Sequence, residues 1–245
     1  MLVEIEGERV DAERLWSTAS GFGHFTAMQV RGRRTRGLDL HLRRLEEANS
    51  EFFDAAFDRE RVRALIRHAL RDADDASVRV YVFESKDGPT TMVTVREPGG
   101  VVTPQSLMSV RYQRPDAHLK HLATGQGYYT RVAHREGYAD ALLVGTEDQI
   151  SETAIANVGF FDGDEIVWPE APHLHGITMQ LLEGVTSSRR AAVRLQDVAS
   201  FEGVFVSNAR GVAAVERVDK VQVWVPDARL KALADAYDSV PWVEI

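Results

Sequence analysis

The hydrophobic period of this chain switches repeatedly between that of a strand and that of a helix, and this limits its fold more than any other feature. In "HFTAMQVRG" apolar residues alternate over a short run ended by glycine, the pattern of a half-buried strand. The next stretch, "LDLHLRRLEEANSEFF", changes period: Leu38, Leu42, Leu45 and Ala48 recur at helical spacing with charged residues between them, which predicts an amphipathic helix. A second helix is expected over about 59–71. "SVRVYVFES" and "TTMVTVRE", joined through "KDG", read as a hairpin, and "LVEIEG" near the start reads as a further strand. Proline and glycine concentrate in "EPGGVVTPQ" (97–105), a candidate linker. Beyond it come a strand "LMSVRYQ", a helix over about 122–137, strands in "DALLV" and "IANVGFFDGDEIVW", and a helix after "HGITMQLLEGV". Strands "AAVRL", "VFVSN" and "VAAVERV" and a closing helix "DARLKALADAY" complete the pattern. The mixture predicts an α/β or α+β protein of two domains with mixed sheets and hairpins, a smaller one over 1–104 and a larger one over 105–245.

Composition narrows the function. The formal net charge of −8 argues against general affinity for nucleic acid or anionic membranes, which need clustered positive charge. The exception, "RGRRTRG" (31–37), reads as a solvated hairpin turn leading into a helix. The chain has no cysteine, which removes disulfides, thiol nucleophiles and thiolate metal sites and fits a reducing compartment. The acidic "MLVEIEGERV" lacks the basic start and apolar stretch of a signal peptide, and no run approaches the ~20 apolar residues of a membrane span. A soluble cytoplasmic protein is expected.

Lysine is scarce. Among 29 basic residues only Lys86, Lys120, Lys220 and Lys231 are lysines. Arginine keeps its proton, whereas a desolvated lysine can serve as an amine nucleophile, so Lys120 in "PDAHLKHLATGQGYYTR" is either such an amine or one of a few surface lysines. In "HLHGITMQLLEGV" a loop becomes a helix at Gly176, Ile177 and Thr178, giving a plain helix start or a phosphate site of free amides beside a hydroxyl. "FVSNARGV" offers a second small polar turn with Ser207, Asn208 and Arg210. Arg44, on the helix after the arginine-rich turn, could reach a phosphate; Arg43 and Arg44 cannot point the same way, so one of them faces solvent. Glu152 in "ISETAIAN" is a turn residue or a buried partner for a cation. The pairs His118/His121 and His173/His175 lack a third ligand at a recognised spacing, so no metal site is expected. There is no Gly-x-Ser-x-Gly, and "GFGH" is too short of glycines for a dinucleotide fingerprint.

Taken in order, these pieces resemble the class IV aminotransferases, the fold-type IV enzymes that use pyridoxal phosphate, over nearly the whole chain. "GFGHFTAMQV" resembles the family's Gly-x-Gly-x-Phe-[Glu/Thr] strand and "HLRRL" its His-x-x-Arg-Leu helix. "HLKHLATGQGYYTRVAHREGYADALLV" is similar to its lysine segment, and "ISETAIANVGFF" to Glu-x4-Asn-x-x-Phe. "LHGIT" and "SNARGVAAV" are similar to its two phosphate turns. The resemblance implies that Lys120 bonds the cofactor as a Schiff base and then moves the substrate proton, and that Glu152 holds the pyridine nitrogen, itself kept ionised by a nearby cation. It implies that Arg44, Ile177, Thr178, Ser207 and Asn208 grip the phosphate, and that Phe25 and Arg79 face the substrate. It also implies a homodimer.

Three positions depart from the family pattern. Gly125 stands where branched-chain enzymes tend to have tyrosine, Thr153 follows Glu152 in place of glycine, and Met179 replaces an arginine. The first expectation is a transaminase moving an amino group between an amino acid or amine and a 2-oxo acid. The alternative is an aminodeoxychorismate lyase, which releases 4-aminobenzoate and pyruvate, with Thr26 as a candidate proton donor. A non-catalytic cofactor-binding relative is the third.

Overall fold

The computed structural model describes residues 4–5, 8–9, 21–100 and 102–245. Leu2, Val3, Glu6 and Gly7 of the first expected strand, and Val101 of the expected linker, lie outside the described residues. Short strands at Glu4–Ile5 and Glu8–Arg9 pair antiparallel. The chain divides into two compact units: Met1–Pro98 with Leu119–Ala123 and Glu244–Ile245, and Gly99–His118 with Thr124–Val243.

In the first unit, strands Gly23–Val30, Ala76–Phe83 and Thr90–Arg96 form an antiparallel sheet in that order. Period two in the sequence becomes two unlike faces. Met28, Val30, Val78, Val80 and Val82 are buried on one side, while Phe25, Ala27, Gln29, Ser77, Arg79 and Tyr81 lie half-buried or exposed on the other. The apolar face packs against Leu38, Leu42 and Leu45 of helix Leu38–Phe53 and Val62, Ile66 and Leu70 of helix Arg59–Leu70. Each such side chain removed from water contributes roughly 1.5–3 kcal/mol. Asp58 starts the second helix by accepting the Arg61 N–H at 2.9 Å. The arginine-rich run is a tight hairpin: Arg31 and Arg34 exchange backbone hydrogen bonds of 2.9 and 3.0 Å, and Gly32 and Arg33 both have positive φ, the type I′ arrangement.

The second unit is built on a nine-stranded mixed sheet. Along the sheet, its strands run Ser188–Ala191, Glu165–Pro169, Asn157–Asp162, Gly203–Asn208, Gly211–Val218, Gln105–Arg111, Asp140–Val144 and Ile150–Thr153, with Val221–Gln222 beside Gly211–Val218. The sheet is apolar on both faces. Phe160, Val167, Val204 and Val206 belong to one core, and their strand neighbours Phe161, Ile166, Trp168 and Phe205 to another, with Met179 and Leu182 of helix Ile177–Glu183. Strands covered twice read as continuous apolar runs rather than alternating ones, which accounts for "DALLV" and "NVGFF". Two elements differ from the sequence expectation. Helix Gln126–Arg135 starts later than residue 122, because residues 120–122 pair instead with the first unit's sheet. The strand expected in "AAVRL" is Ser188–Ala191, after which Leu195–Ser200 forms a 3₁₀ turn.

Candidate active site

The lysine segment is an extra piece of strand laid on the edge of Gly23–Val30. The Phe25 N–H donates to the Lys120 carbonyl at 3.0 Å, the Leu122 N–H donates to Gly23 at 2.9 Å, and His24 and His121 form an antiparallel bridge. On its other side Gly23 lies tight against strand Ala76–Phe83, where a Cβ would fall on the Val82 carbonyl oxygen. Sequence order puts Lys120 in the larger second half, but these backbone bonds place it in the first unit. Its ammonium nitrogen stands 4.8 Å from the Phe25 ring centroid. Phe25 stacks on Tyr81 with centroids 5.5 Å apart, and Arg79 donates to the Tyr81 hydroxyl at 3.4 Å.

Beneath this face, Thr26 Oγ1 and His41 Nδ1 lie 2.6 Å apart, both buried. Burial, then the charges of Arg44 and Lys120, pushes the His41 imidazole down to about 3. His24 packs among Phe52, Phe53 and His121; burial and then His121 lower it to about 4. Arg43 is exposed while Arg44 is half-buried on the helix side shared with His41, as helical geometry requires.

The second unit holds the buried charge. Glu152, on strand Ile150–Thr153, is 6% exposed. Arg114 Nε donates to its Oε1 at 2.9 Å, the Leu174 N–H donates to its Oε2 at 3.3 Å, and Arg114 also donates to the Ala117 carbonyl. Asn157 holds the other side of Leu174, donating to its carbonyl at 2.6 Å. Next to Asn157 a Cβ on Gly176 would collide with the Asn157 side-chain oxygen, so only glycine fits before helix Ile177–Glu183. Thr178 Oγ1 donates to the Asn208 carbonyl at 2.7 Å, and Asn208 Oδ1 accepts the Arg210 N–H at 2.9 Å. Ser207, opposite Asn157 in the sheet, is 1% exposed, and among the described residues its hydroxyl has no hydrogen-bond partner.

The folded chain therefore brings Glu152, Ile177, Thr178, Ser207 and Asn208 into one hydrogen-bonded neighbourhood of the second unit, and gathers Lys120, Phe25, Arg79 and Arg44 in the first. Sequence reasoning missed Arg114, Asn157, His41 and Tyr81. Arg114 lies in a loop without periodicity, and nothing local marks it; "a nearby cation" was the only available hint. Asn157 and His41 were visible as motif letters without a task, and Tyr81 was masked by ordinary strand alternation. The expected loop histidines are accounted for locally: His173 donates to the Ala171 carbonyl at 2.7 Å and His175 lies 2.6 Å from Glu183.

These residues fit pyridoxal phosphate. The unpartnered Ser207 hydroxyl and the free amides at Ile177 and Thr178 suit phosphate oxygens, the buried Glu152 suits a ring nitrogen, and Lys120 is an amine beside an aromatic ring. Comparison with known proteins points the same way. Residues 23–218 match the family "Amino-transferase class IV". No curated protein sequence matches the chain. Among solved structures, a putative 4-amino-4-deoxychorismate lyase from Legionella pneumophila has a TM-score of 0.84 at 17% identity, covering 95% of both chains. A PLP-bound hypothetical aminotransferase from Mycobacterium tuberculosis has a TM-score of 0.81 at 21% identity, covering 98% of this chain and 95% of that one. The branched-chain amino acid aminotransferase of Escherichia coli has 0.82 at 18%, covering 96% and 92%. The chain belongs to the class IV aminotransferases, a pyridoxal-phosphate-dependent family with the fold-type IV architecture.

Proposed function

We propose that the chain is a transaminase in which Lys120 is the amine that bonds the cofactor and moves the substrate proton, with amino transfer between an amino acid or amine and a 2-oxo acid. When bound, pyridoxal phosphate supplies an electrophilic carbon and a ring that accepts electrons. The chain's own residues supply the rest. Glu152, fixed by Arg114 and the Leu174 N–H, presents a carboxylate to the ring nitrogen. Arg44, the amides and hydroxyl at Ile177 and Thr178, and the Ser207–Asn208 turn hold the phosphate. Phe25 packs beside the amine and Arg79 stands on the substrate side. The observation that carries this reading is the buried Glu152–Arg114 pair at 2.9 Å: a buried carboxylate costs several kcal/mol unless it is paired, and this pairing keeps one in the core of the second unit. A cytoplasmic homodimer completes the proposal, on the resemblance alone.

One observation favours a second reading, lyase chemistry of the aminodeoxychorismate type. The Thr26 hydroxyl is fully buried and held by His41 at 2.6 Å, so a proton donor is fixed at the strand that carries Phe25. Both readings use Lys120. The test is to load the protein with pyridoxal phosphate, reduce with borohydride and locate the modified lysine by peptide mass spectrometry, with Lys120→Ala as control. An adduct on Lys120 alone supports the reading, and an adduct spread over Lys86, Lys220 and Lys231 refutes it. Pyruvate formed without a 2-oxo acid acceptor then selects the lyase, and accumulation of the pyridoxamine form selects the transaminase.

A further inference from the structure

Among the described residues two carboxylates are buried, Glu152 at 6% exposure and Asp140 at 2%. Both belong to the second unit, and they are accommodated differently. Glu152 has the Arg114 guanidinium. Asp140, the first residue of strand Asp140–Val144, has no cation within ion-pair distance among the described residues and is held by dipoles alone. Its Oδ1 accepts the hydroxyl of Thr130, on helix Gln126–Arg135, at 3.0 Å, and its Oδ2 accepts the Ile155 N–H at 3.2 Å. The Thr153 hydroxyl and the Ala141 N–H also hydrogen-bond the carboxylate. A buried carboxylate without a cation costs free energy that a neutral residue at the same place would not.

The bonds converge on one turn. Strand Ile150–Thr153 runs antiparallel to Asp140–Val144, with Leu143 opposite Glu152 and Leu142 opposite Thr153, and the Ala154 N–H still reaches the Ala141 carbonyl at 2.9 Å. There the backbone ladder stops, and the Asp140 side chain supplies the acceptor for Ile155. Thr153 closes the turn from inside. Its hydroxyl oxygen accepts the Ala156 N–H at 2.9 Å, and its one proton serves the Ala156 carbonyl at 3.1 Å or the Asp140 carboxylate. Glycine, the family residue at this position, would supply none of these side-chain bonds.

The turn separates two residues with a common target. Glu152, just before it, accepts the Leu174 N–H at 3.3 Å, and Asn157, just after it, donates to the Leu174 carbonyl at 2.6 Å. The longer bond is near its limit, so a displacement of a few tenths of an ångström breaks it and leaves one Glu152 oxygen without its donor.

We propose that Asp140, with Thr153, is a positioning residue for the cofactor: it holds the 153–156 turn so that Glu152 and Asn157 grip Leu174 together, and thereby fixes the Glu152 carboxylate in the orientation that meets the ring nitrogen. Asp140 acts through Glu152 and needs no contact of its own with cofactor or substrate. The inference rests on the reading of Glu152 as the partner of that nitrogen.

The test is a double-mutant cycle on the cofactor-loaded protein, read by pyridoxal phosphate affinity and by the near-visible absorption of the bound cofactor, which reports the surroundings of its ring. Asp140→Ala is expected to weaken affinity about tenfold and Thr153→Gly about threefold. Both should move the absorption in the direction of Glu152→Gln, by a smaller amount. In the Glu152→Gln background the same two changes should have no further effect. Asp140→Asn, which keeps an oxygen for the Ile155 N–H, should recover most of the loss. Effects of Asp140→Ala that are equal in both backgrounds overturn the proposal, as does a lowered thermal midpoint with affinity and absorption unchanged, since the carboxylate then serves only the fold. If Asp140→Ala does not fold, the same outcomes for Thr153→Gly decide. Glu152→Gln with unchanged affinity and absorption refutes the reading of Glu152 and the proposal with it. A changed Glu152→Gln beside an unchanged Asp140→Ala refutes the positioning role alone.

Discussion

The two sheets handle charge in opposite ways. In the second unit both faces are apolar, and Glu152 is accommodated only with Arg114 against one oxygen and a backbone N–H against the other. In the first unit one face is covered and the other open, and Arg79 and Arg96 stand there without carboxylates. A buried charge must be fixed and satisfied, which suits a constant task such as holding a cofactor ring. An open charge meets its counter-ions in solution and is screened by salt. The contrast is also one of cost: a half-broken buried pair loses roughly 3–5 kcal/mol, and a surface charge changes stability by about 0.5 kcal/mol or less.

The comparison can be pressed experimentally. The largest effect on activity is expected from Lys120→Ala, which should lower turnover by roughly 10³–10⁴-fold while the thermal midpoint barely moves; stopped assays and calorimetry on one preparation check both. The largest effect on stability is expected from Arg114→Ala, about 3–5 kcal/mol by denaturant unfolding, against a change near zero for Arg79→Ala. Equal losses at the two sites would erase the distinction between the sheets.

Acid should act on the first unit through His24 and His41. Their folded pKa values, about 4 and about 3, lie below the ordinary 6.5, so between these limits the unfolded chain binds more protons. Stability contributed by the neutral rings is therefore fully present above pH 6.5 and is lost as pH falls toward 4 and below, by at most about 3 kcal/mol for His24 and about 5 kcal/mol for His41. His24→Phe should flatten part of that slope in unfolding measured from pH 7 to 4. The smallest effect is expected from Ser207→Ala. The unloaded protein should be unchanged or slightly steadier, since a buried hydroxyl without a partner is removed, while cofactor affinity falls about tenfold. Fluorescence titration with pyridoxal phosphate would show it.

How much of this was readable in advance follows from the same contrast. Alternation in "FTAMQV" and "SVRVYV" announced half-buried strands, whereas "DALLV" was read only as a strand, and its covering on both faces came with the fold. The hairpin turn in "RGRRTRG" was legible from its glycine, but its type I′ form was not, because it puts Arg33 at a positive φ that arginine rarely takes. In the second unit the turns at "HGIT" and "SNARG" were legible because each short motif carries its own local geometry. Arg114 was not, because its partner lies 38 residues away and the pairing is a property of the folded core. Nor was the placement of Lys120, which depends on backbone bonds to Gly23 and Phe25 that leave no trace in residue type.

That placement has a consequence for how the chain is made. A ribosome finishes the first unit's three strands and two helices by residue 98, yet the edge that carries Lys120 belongs to residues 119–123, and Ile245, seated in the same core, comes later still. The apolar side of the first sheet can collapse early during synthesis. Lys120 arrives only after a length of the second unit has been synthesised, so this edge is added late, on a scaffold already formed.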